Sequence, residues 1–236
     1  VAFGIAAGVM VCLVQGWVTA NFWTLHSFQI GATLDMLLFF RVMGLRALAT
    51  QIQAQEAMRE RDLMQSLANT DPLTGLSNRR GLQHALHAAL AHCSPQRLVA
   101  VYLIDLDGFK PINDAHGHDV GDDLLVAVGH RLQANVRHQT DLVARLGGDE
   151  FIIMARDLAT PEQAEDLGRS LLRAFEHPFT LSQLRIQVGL TIGYALAPLD
   201  SDDPQGLLRY ADAAMYAGKQ RGKHSVQRIP ATAALA

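Results

Sequence analysis

The 236-residue chain has only two cysteines, Cys12 and Cys93, too few and too scattered for a disulfide framework. Its 20 Lys and Arg stand against 23 Asp and Glu, a formal net charge of −3. That balance disfavours a generic nucleic-acid binder, which needs a basic excess or stripe. No segment is of low complexity and no repeat is visible. Neither G-x-x-x-x-G-K-[ST] nor G-x-G-x-x-G occurs, so a nucleotide would have to be held by some other device. His116 and His118 lie close together, but no cysteine or further histidine has zinc-ligand spacing, and they read as surface turn histidines. No Met opens the chain and no basic leader precedes the first apolar run. A signal peptide is therefore disfavoured and a fragment of a longer protein is expected.

Charge is also missing from residues 1–20, and residues 28–49 are mostly apolar, with only Asp35, Arg41 and Arg46 charged. Each stretch is about long enough to span a bilayer. The short loop Asn21–Ser27 between them has Trp17 and Trp23 near its ends, as interfacial aromatics would be. Two membrane helices over residues 1–49 are expected, with core helices of a soluble domain as the alternative. Arg41, Arg46, Arg59 and Arg61 lie at or beyond the second segment, which places the C-terminal side in the cytoplasm. Asp35 is costly inside a span and is expected in a bundle interior. Residues 50–70 are charged and helix-prone. Leu45, Leu48 and Ile52 begin a 3–4 spacing that Met58, Leu63 and Leu67 continue imperfectly, so this linker reads as a short parallel coiled coil or a solvated connector. Asn69-Thr70-Asp71-Pro72 then breaks the helix.

What the rest of the chain does have is acids at turns. Arg145-Leu146-Gly147-Gly148-Asp149-Glu150-Phe151 places a Gly-Gly pair between two apolar runs, a hairpin signal. Adjacent carboxylates at such a tip suit a hard cation and a phosphate, or form a solvated turn. Leu98–Asp107 opens as a buried strand, and period two puts Leu103, Asp105 and Asp107 on one face. An acid ending an apolar strand is costly unless paired, hydrogen-bonded or metal-bound. The turn at Gly108-Phe109-Lys110 leads into a helix, whose free N–H groups with Lys110 make an anion site. Gly117-His118-Asp119-Val120-Gly121-Asp122 precedes a helical face of Leu124, Leu125, Val128, Leu132 and Val136. Asp122 fits either an N-terminal cap of that helix or a reader of guanine, whose N1–H and N2–H lie side by side.

Taken in order, these motifs resemble the GGDEF family of diguanylate cyclases over residues ~70–228. The resemblance adds Asp71-Pro72-Leu73-Thr74-Gly75-Leu76-Ser77-Asn78-Arg79-Arg80, Ile104-Asp105-Leu106-Asp107-Gly108-Phe109-Lys110 with Ile112-Asn113-Asp114, Leu190-Thr191-Ile192-Gly193, and Tyr210-Ala211-Asp212-Ala213-Ala214-Met215-Tyr216 with Lys219 and Gly222-Lys223. It implies an α+β, palm-like nucleotidyl-cyclase fold, with a central, mainly antiparallel sheet flanked by helices. It further implies that a homodimer condenses two GTP into cyclic di-GMP, using two Mg²⁺ or Mn²⁺ per site. Residues Leu25–Leu48 weakly resemble the last helix of a seven-helix bacterial sensor module, which implies anchoring in the bacterial inner membrane.

The resemblance also implies roles. Asp105 and Asp149, with the carbonyl of Leu106, would bind the metals, and Glu150 would help activate the 3′-hydroxyl. Phe109 and Lys110 would hold the β- and γ-phosphates. Asn113 and Asp122 would read guanine, with His118 nearby. Lys219 and Lys223, four apart and so expected on one helix face, would meet the triphosphate. Lys223 stands where the family usually has Arg and lacks the bidentate fork. An inhibitory Arg-x-x-Asp site is degenerate: Asp141 is present, His138 replaces the Arg, and Arg137, one residue off, is expected to point elsewhere. The alternative function is an inactive GTP or cyclic di-GMP receptor, and the intact acids argue for the enzyme. The domains expected are 1–49, 50–70, the catalytic domain 71–228 and a tail 229–236. Within the catalytic domain, helices are predicted at Arg80–His92, Phe109–His116, Asp122–His138, Pro161–Phe175 and Pro204–Gln220. Strands are predicted at Leu98–Leu106, in the hairpin Leu142–Ala155 and near Phe179–Ala197.

Overall fold

The computed structural model describes residues 2–181 and 184–230. It divides into two compact units, residues 1–64 and 65–236. In the first, α1 (Ala2–Val14) is followed by α2 (Phe22–Asn69), whose last residues belong to the second unit. The first apolar stretch thus forms only 13 helical residues, roughly 20 Å at 1.5 Å per residue and short for a bilayer core. The long apolar helix is α2, with a span-length segment over Phe22–Glu56. The loop between them ends at Asn21, so it lies earlier in the chain than expected; Asn21 and Thr24 exchange hydrogen bonds there and start α2. Asp35 accepts from the backbone N–H groups of Ala2 and Phe3 at the start of α1, which gives the costly acid its partners. A Cβ at Gly31 would overlap the Cβ of Ala6, so the two helices touch there through small residues. Residues 231–236 of the expected tail, and the side chains of Leu63 and Leu67, lie outside what is described.

The strands of the second unit are β1 (Leu98–Asp107), β2 (Leu142–Gly147), β3 (Glu150–Leu158), β4 (Phe179–Leu181), β5 (Leu184–Ile186), β6 (Gly189–Ala197) and β7 (Val226–Arg228). Five of them form one sheet in the order β2-β3-β1-β6-β7, and β4 and β5 form a separate ribbon. All pairings are antiparallel except β6 with β7. The helices are α3 (Arg79–Leu90), α4 (Phe109–His116), α5 (His118–Ala134), α6 (Pro161–Ala174) and α7 (Pro204–Gln220).

Alternation along β1 sorts the core into two layers. Leu98, Ala100, Tyr102, Ile104 and Leu106 pack with α5 and α6. Val99, Val101 and Leu103 pack with Leu82 and Leu86 of α3 and with Leu207, Ala211 and Met215 of α7. The fold is the expected α+β sheet flanked by helices. The strand β7 is not among those predicted, because three residues with one apolar member give no periodic signal. The helix predicted from Asp122 begins four residues earlier, at His118, with Gly117 in the cap position. Asp122 therefore lies inside α5 and caps nothing.

Candidate functional site

The acids converge because of strand register. Asp105 on β1 lies opposite Glu150 on β3 and opposite Thr191 on β6. Asp149 sits in the tight turn between β2 and β3, beside Gly147 (φ 144°) and Gly148 (φ 53°), backbone that favours glycine. Burial raises the pKa of Asp105; the ammonium of Lys219 works against this, while the charges of Asp149 and Asp107 add to it. These electrostatics place Asp105, Asp149 and Lys219 in one neighbourhood. Asp107 is otherwise engaged, accepting from Thr191 Oγ1 at 2.8 and 3.0 Å and from His224 N at 3.1 Å.

Lys219 Nζ meets Asp105 Oδ2 at 2.7 Å. Its position follows from close helix–sheet contact. A Cβ at Gly193 would overlap backbone of Ala211 and Met215, so α7 lies directly on β6 there. A helix turn beyond Met215, Lys219 reaches the strand end that carries Asp105. Lys223 does not share that helix face, contrary to expectation. α7 stops at Gln220, Gly222 follows with φ 118°, and Lys223 itself has φ 63°. Its N–H donates to Gly218 O.

Beyond β1, Gly108 (φ 84°) turns the chain into α4, whose opening N–H groups have no side-chain cap. Phe109 is buried beneath this turn and Lys110 is exposed on it. Asn113 of α4 packs against α5 where Gly121 has no Cβ, and a Cβ there would overlap Asn113 Oδ1. That Oδ1 is buried with no hydrogen-bond partner, an unusual and costly state for an amide oxygen. Asp122 is the next residue along α5 and is exposed, as is His118. The structure thus gathers Asp105, Leu106, Asp149, Glu150 and Lys219 at one end of the sheet, and brings Asn113 close to the backbone beside Asp122.

No group of three or more His, Cys, Asp or Glu side chains is placed to hold a metal among the described residues. Two carboxylates and the Leu106 carbonyl are nonetheless hard oxygen donors of the kind Mg²⁺ and Mn²⁺ take, with water and phosphate completing the shell. The ammonium already at Asp105 shows that the position favours a cation.

Sequence reasoning missed the brace beneath the signature hairpin. Arg145 donates from Nε to Gly148 O at 3.0 Å and from Nη1 to both Asp71 oxygens at 3.1 and 3.2 Å. Asp71 also accepts from Thr74 N and Oγ1. Burial opposes ionisation of Asp71, but the bonds from Thr74 and Arg145 outweigh it and hold the carboxyl below its usual range. The invitation to this pairing was present in the sequence only as two oppositely charged residues at motif ends, 74 positions apart.

At the degenerate inhibitory site, Arg137 does not point elsewhere. It grips Asp141 with Nε and Nη2 at 3.0 and 2.8 Å, and Arg156 N and Thr140 Oγ1 donate to the same carboxylate. The Asp141 side chain is 1% exposed. His138 and Asp141 line a cavity of ≈ 390 Å³ with Asn69, Thr70 and Gln133.

Residues 68–225 match the family described as Diguanylate cyclase, GGDEF domain. The chain is 40% identical over 181 residues to the bifunctional diguanylate cyclase/cyclic di-GMP phosphodiesterase MucR of Pseudomonas aeruginosa, covering 76% of this chain and 26% of MucR. It is 39% identical over 184 residues to the diguanylate cyclase TpbB of the same species, covering 76% and 42%. A relative named a cyclic di-GMP phosphodiesterase, PdeR of Escherichia coli, is 35% identical over 168 residues, covering 71% of this chain and 25% of PdeR. The chain thus spans less than half the length of these relatives. The crystal structure of the TpbB GGDEF domain superimposes with a TM-score of 0.60 at 38% identity, over 65% of this chain and 96% of that one. A sensory box/GGDEF family protein of Caulobacter crescentus gives 0.62 at 38%, over 65% and 99%.

Proposed function

Because the chain belongs to the GGDEF family of diguanylate cyclases, we propose that its second unit condenses two GTP into cyclic di-GMP, releasing pyrophosphate. The observation that carries this reading is the register that sets Asp105 opposite Glu150, with Lys219 on Asp105. Asp105, Asp149 and the Leu106 carbonyl would hold two Mg²⁺ or Mn²⁺, which when bound neutralise the leaving pyrophosphate and ease deprotonation of the attacking 3′-hydroxyl. Glu150, exposed beside the turn, assists that deprotonation. The Phe109–Lys110 turn binds the β- and γ-phosphates through the N–H groups opening α4 and the Lys110 ammonium. Lys219, with Lys223 beyond the end of α7, adds positive charge at the triphosphate. Asp122 accepts the paired N–H donors of guanine, and the unpartnered Asn113 Oδ1 takes a further donor, with His118 alongside.

Each chain has one such site, and the product needs two GTP facing each other, so the working enzyme is a homodimer. Where α2 passes into the linker it carries exposed Leu45, Leu48, Ile52 and Met58, which suits self-association. Its apolar segment anchors the chain in the bacterial inner membrane, with α1 beside it and the catalytic unit in the cytoplasm. The competing reading, an inactive receptor, draws on relatives named phosphodiesterases, and the full set of acids favours the cyclase. Substitution tests it: Asp105→Ala or Glu150→Ala abolishes cyclic di-GMP formation, and near-native rate in either variant contradicts the site.

A further inference from the structure

The ion pair between Lys219 and Asp105 sets up a conflict within the proposed cyclase site, and its meaning rests on that functional reading. One carboxylate is asked to ligate a divalent cation, and one ammonium is asked to meet a triphosphate. Here they satisfy each other at 2.7 Å, with side chains 34% and 16% exposed. Both tasks cannot be done while they are joined, because an ammonium on Oδ2 occupies the face a metal would need and repels a second cation.

The contact is a product of the architecture. Gly193 lets α7 settle onto β6, and a Cβ at Gly218 would come within 3.1 Å of Thr191 Cγ2, the residue opposite Asp105. The last turn of α7 is thereby held over the strand end. Lys110, also assigned to the triphosphate, makes no ion pair among the described residues.

We propose that Lys219 is the resident counter-ion of Asp105, and that it makes cation binding and nucleotide binding depend on each other. Without nucleotide, Lys219 neutralises Asp105 and competes with divalent cations. With a triphosphate present, Lys219 transfers to the phosphate oxygens and leaves the carboxylate free to act as a ligand. No bond is made or broken; one ammonium changes its anionic partner. The site therefore takes up metal weakly on its own and strongly together with GTP.

The test is Mn²⁺ binding by the whole chain, read from the electron paramagnetic resonance signal of free Mn²⁺, with and without a non-hydrolysable GTP analogue. Lys219→Met keeps the apolar stem and removes the charge. It is expected to bind Mn²⁺ up to about fivefold more tightly than the native chain without nucleotide, the scale of losing one partly exposed ion pair. The analogue should then strengthen Mn²⁺ binding less than it does in the native chain. Arg221→Met, which removes an exposed charge two residues away that has no role in the site, should leave nucleotide-free binding unchanged. Equal or weaker binding in Lys219→Met, or an equal rise in both variants, overturns the inference while leaving the metal site intact. Asp105→Asn distinguishes the deeper failure: Mn²⁺ binding indifferent to it overturns the metal assignment as well.

Discussion

A single missing Cβ makes room for the side chain of Asn113, the proposed base reader. Its Oδ1 occupies the space that any side chain at position 121 would need. Gly121→Ala should therefore push Asn113 aside and raise the KM for GTP about tenfold, the loss of one good hydrogen bond. The folding midpoint should fall little, and an unchanged KM would remove Asn113 from recognition. With Asp122 in place, ATP should be a far poorer substrate than GTP, because a carboxylate facing adenine loses both donors. Equal rates with the two nucleotides would contradict this. Asp105 shows the cost of such placement. Burial raises its pKa, with Asp149 and Asp107 adding to the effect. The ionised form therefore costs stability, and the cost appears as pH rises from the unfolded value of about 3.9 through the higher folded value. Asp105→Asn should be inactive yet melt no lower than the native chain at neutral pH, and a midpoint several degrees lower would refute this. The residue types were legible in the sequence because the motifs carry them. The empty space at Gly121, the cation on Asp105 and the turn that removes Lys223 from the α7 face depend on packing and backbone angles that spacing does not encode.

Between elements, the motif that opens the second unit acts as a joint. Asn78 accepts from Arg80 N and Gly81 N to cap α3, and its Nδ2 donates to the carbonyls of Ala68 and Thr70 at the end of α2. Asp71, just beyond that end of α2, holds Arg145, which in turn holds the Gly148 carbonyl of the signature turn. Arg145→Ala should destabilise the second unit by about 1–3 kcal/mol, the usual cost of unpairing a partly buried polar group, and should lower kcat by loosening the turn. Denaturant melts and initial rates check both, and a variant with native stability would dismiss the brace. Because the Asp71 carboxyl lies below its usual range, this stabilisation is complete above about pH 4 and is lost as pH falls through the folded pKa. Asp71→Asn should flatten that acid-side loss. Most helices and the long strands could be read from periodicity and caps. The early start of α5 was missed because Gly117 caps it without a side chain, and β7 because it is too short to show a period.

For the whole molecule, the two apolar stretches at the N-terminus do not contribute equally: α1 is short and α2 runs on into the linker. Length and composition alone suggested two spans, because nothing in residues 15–20 forbids a helix. If activity requires two chains, the rate per molecule should fall on dilution below the dimer dissociation constant, and a constant rate would argue for a self-sufficient monomer. Product feedback should be weak. Asp141 is spent on Arg137, and the imidazole of His138 lacks the paired donors of a guanidinium fork. His138→Arg should increase inhibition by added cyclic di-GMP, whereas strong inhibition of the native chain abolished by Asp141→Ala would overturn this view. The central claim is the reaction itself, and chromatography of GTP incubated with the chain and Mg²⁺ tests it most directly. The account predicts one cyclic di-GMP and two pyrophosphates for every two GTP consumed, at chain concentrations where dimers form. GTP left intact under those conditions would contradict it.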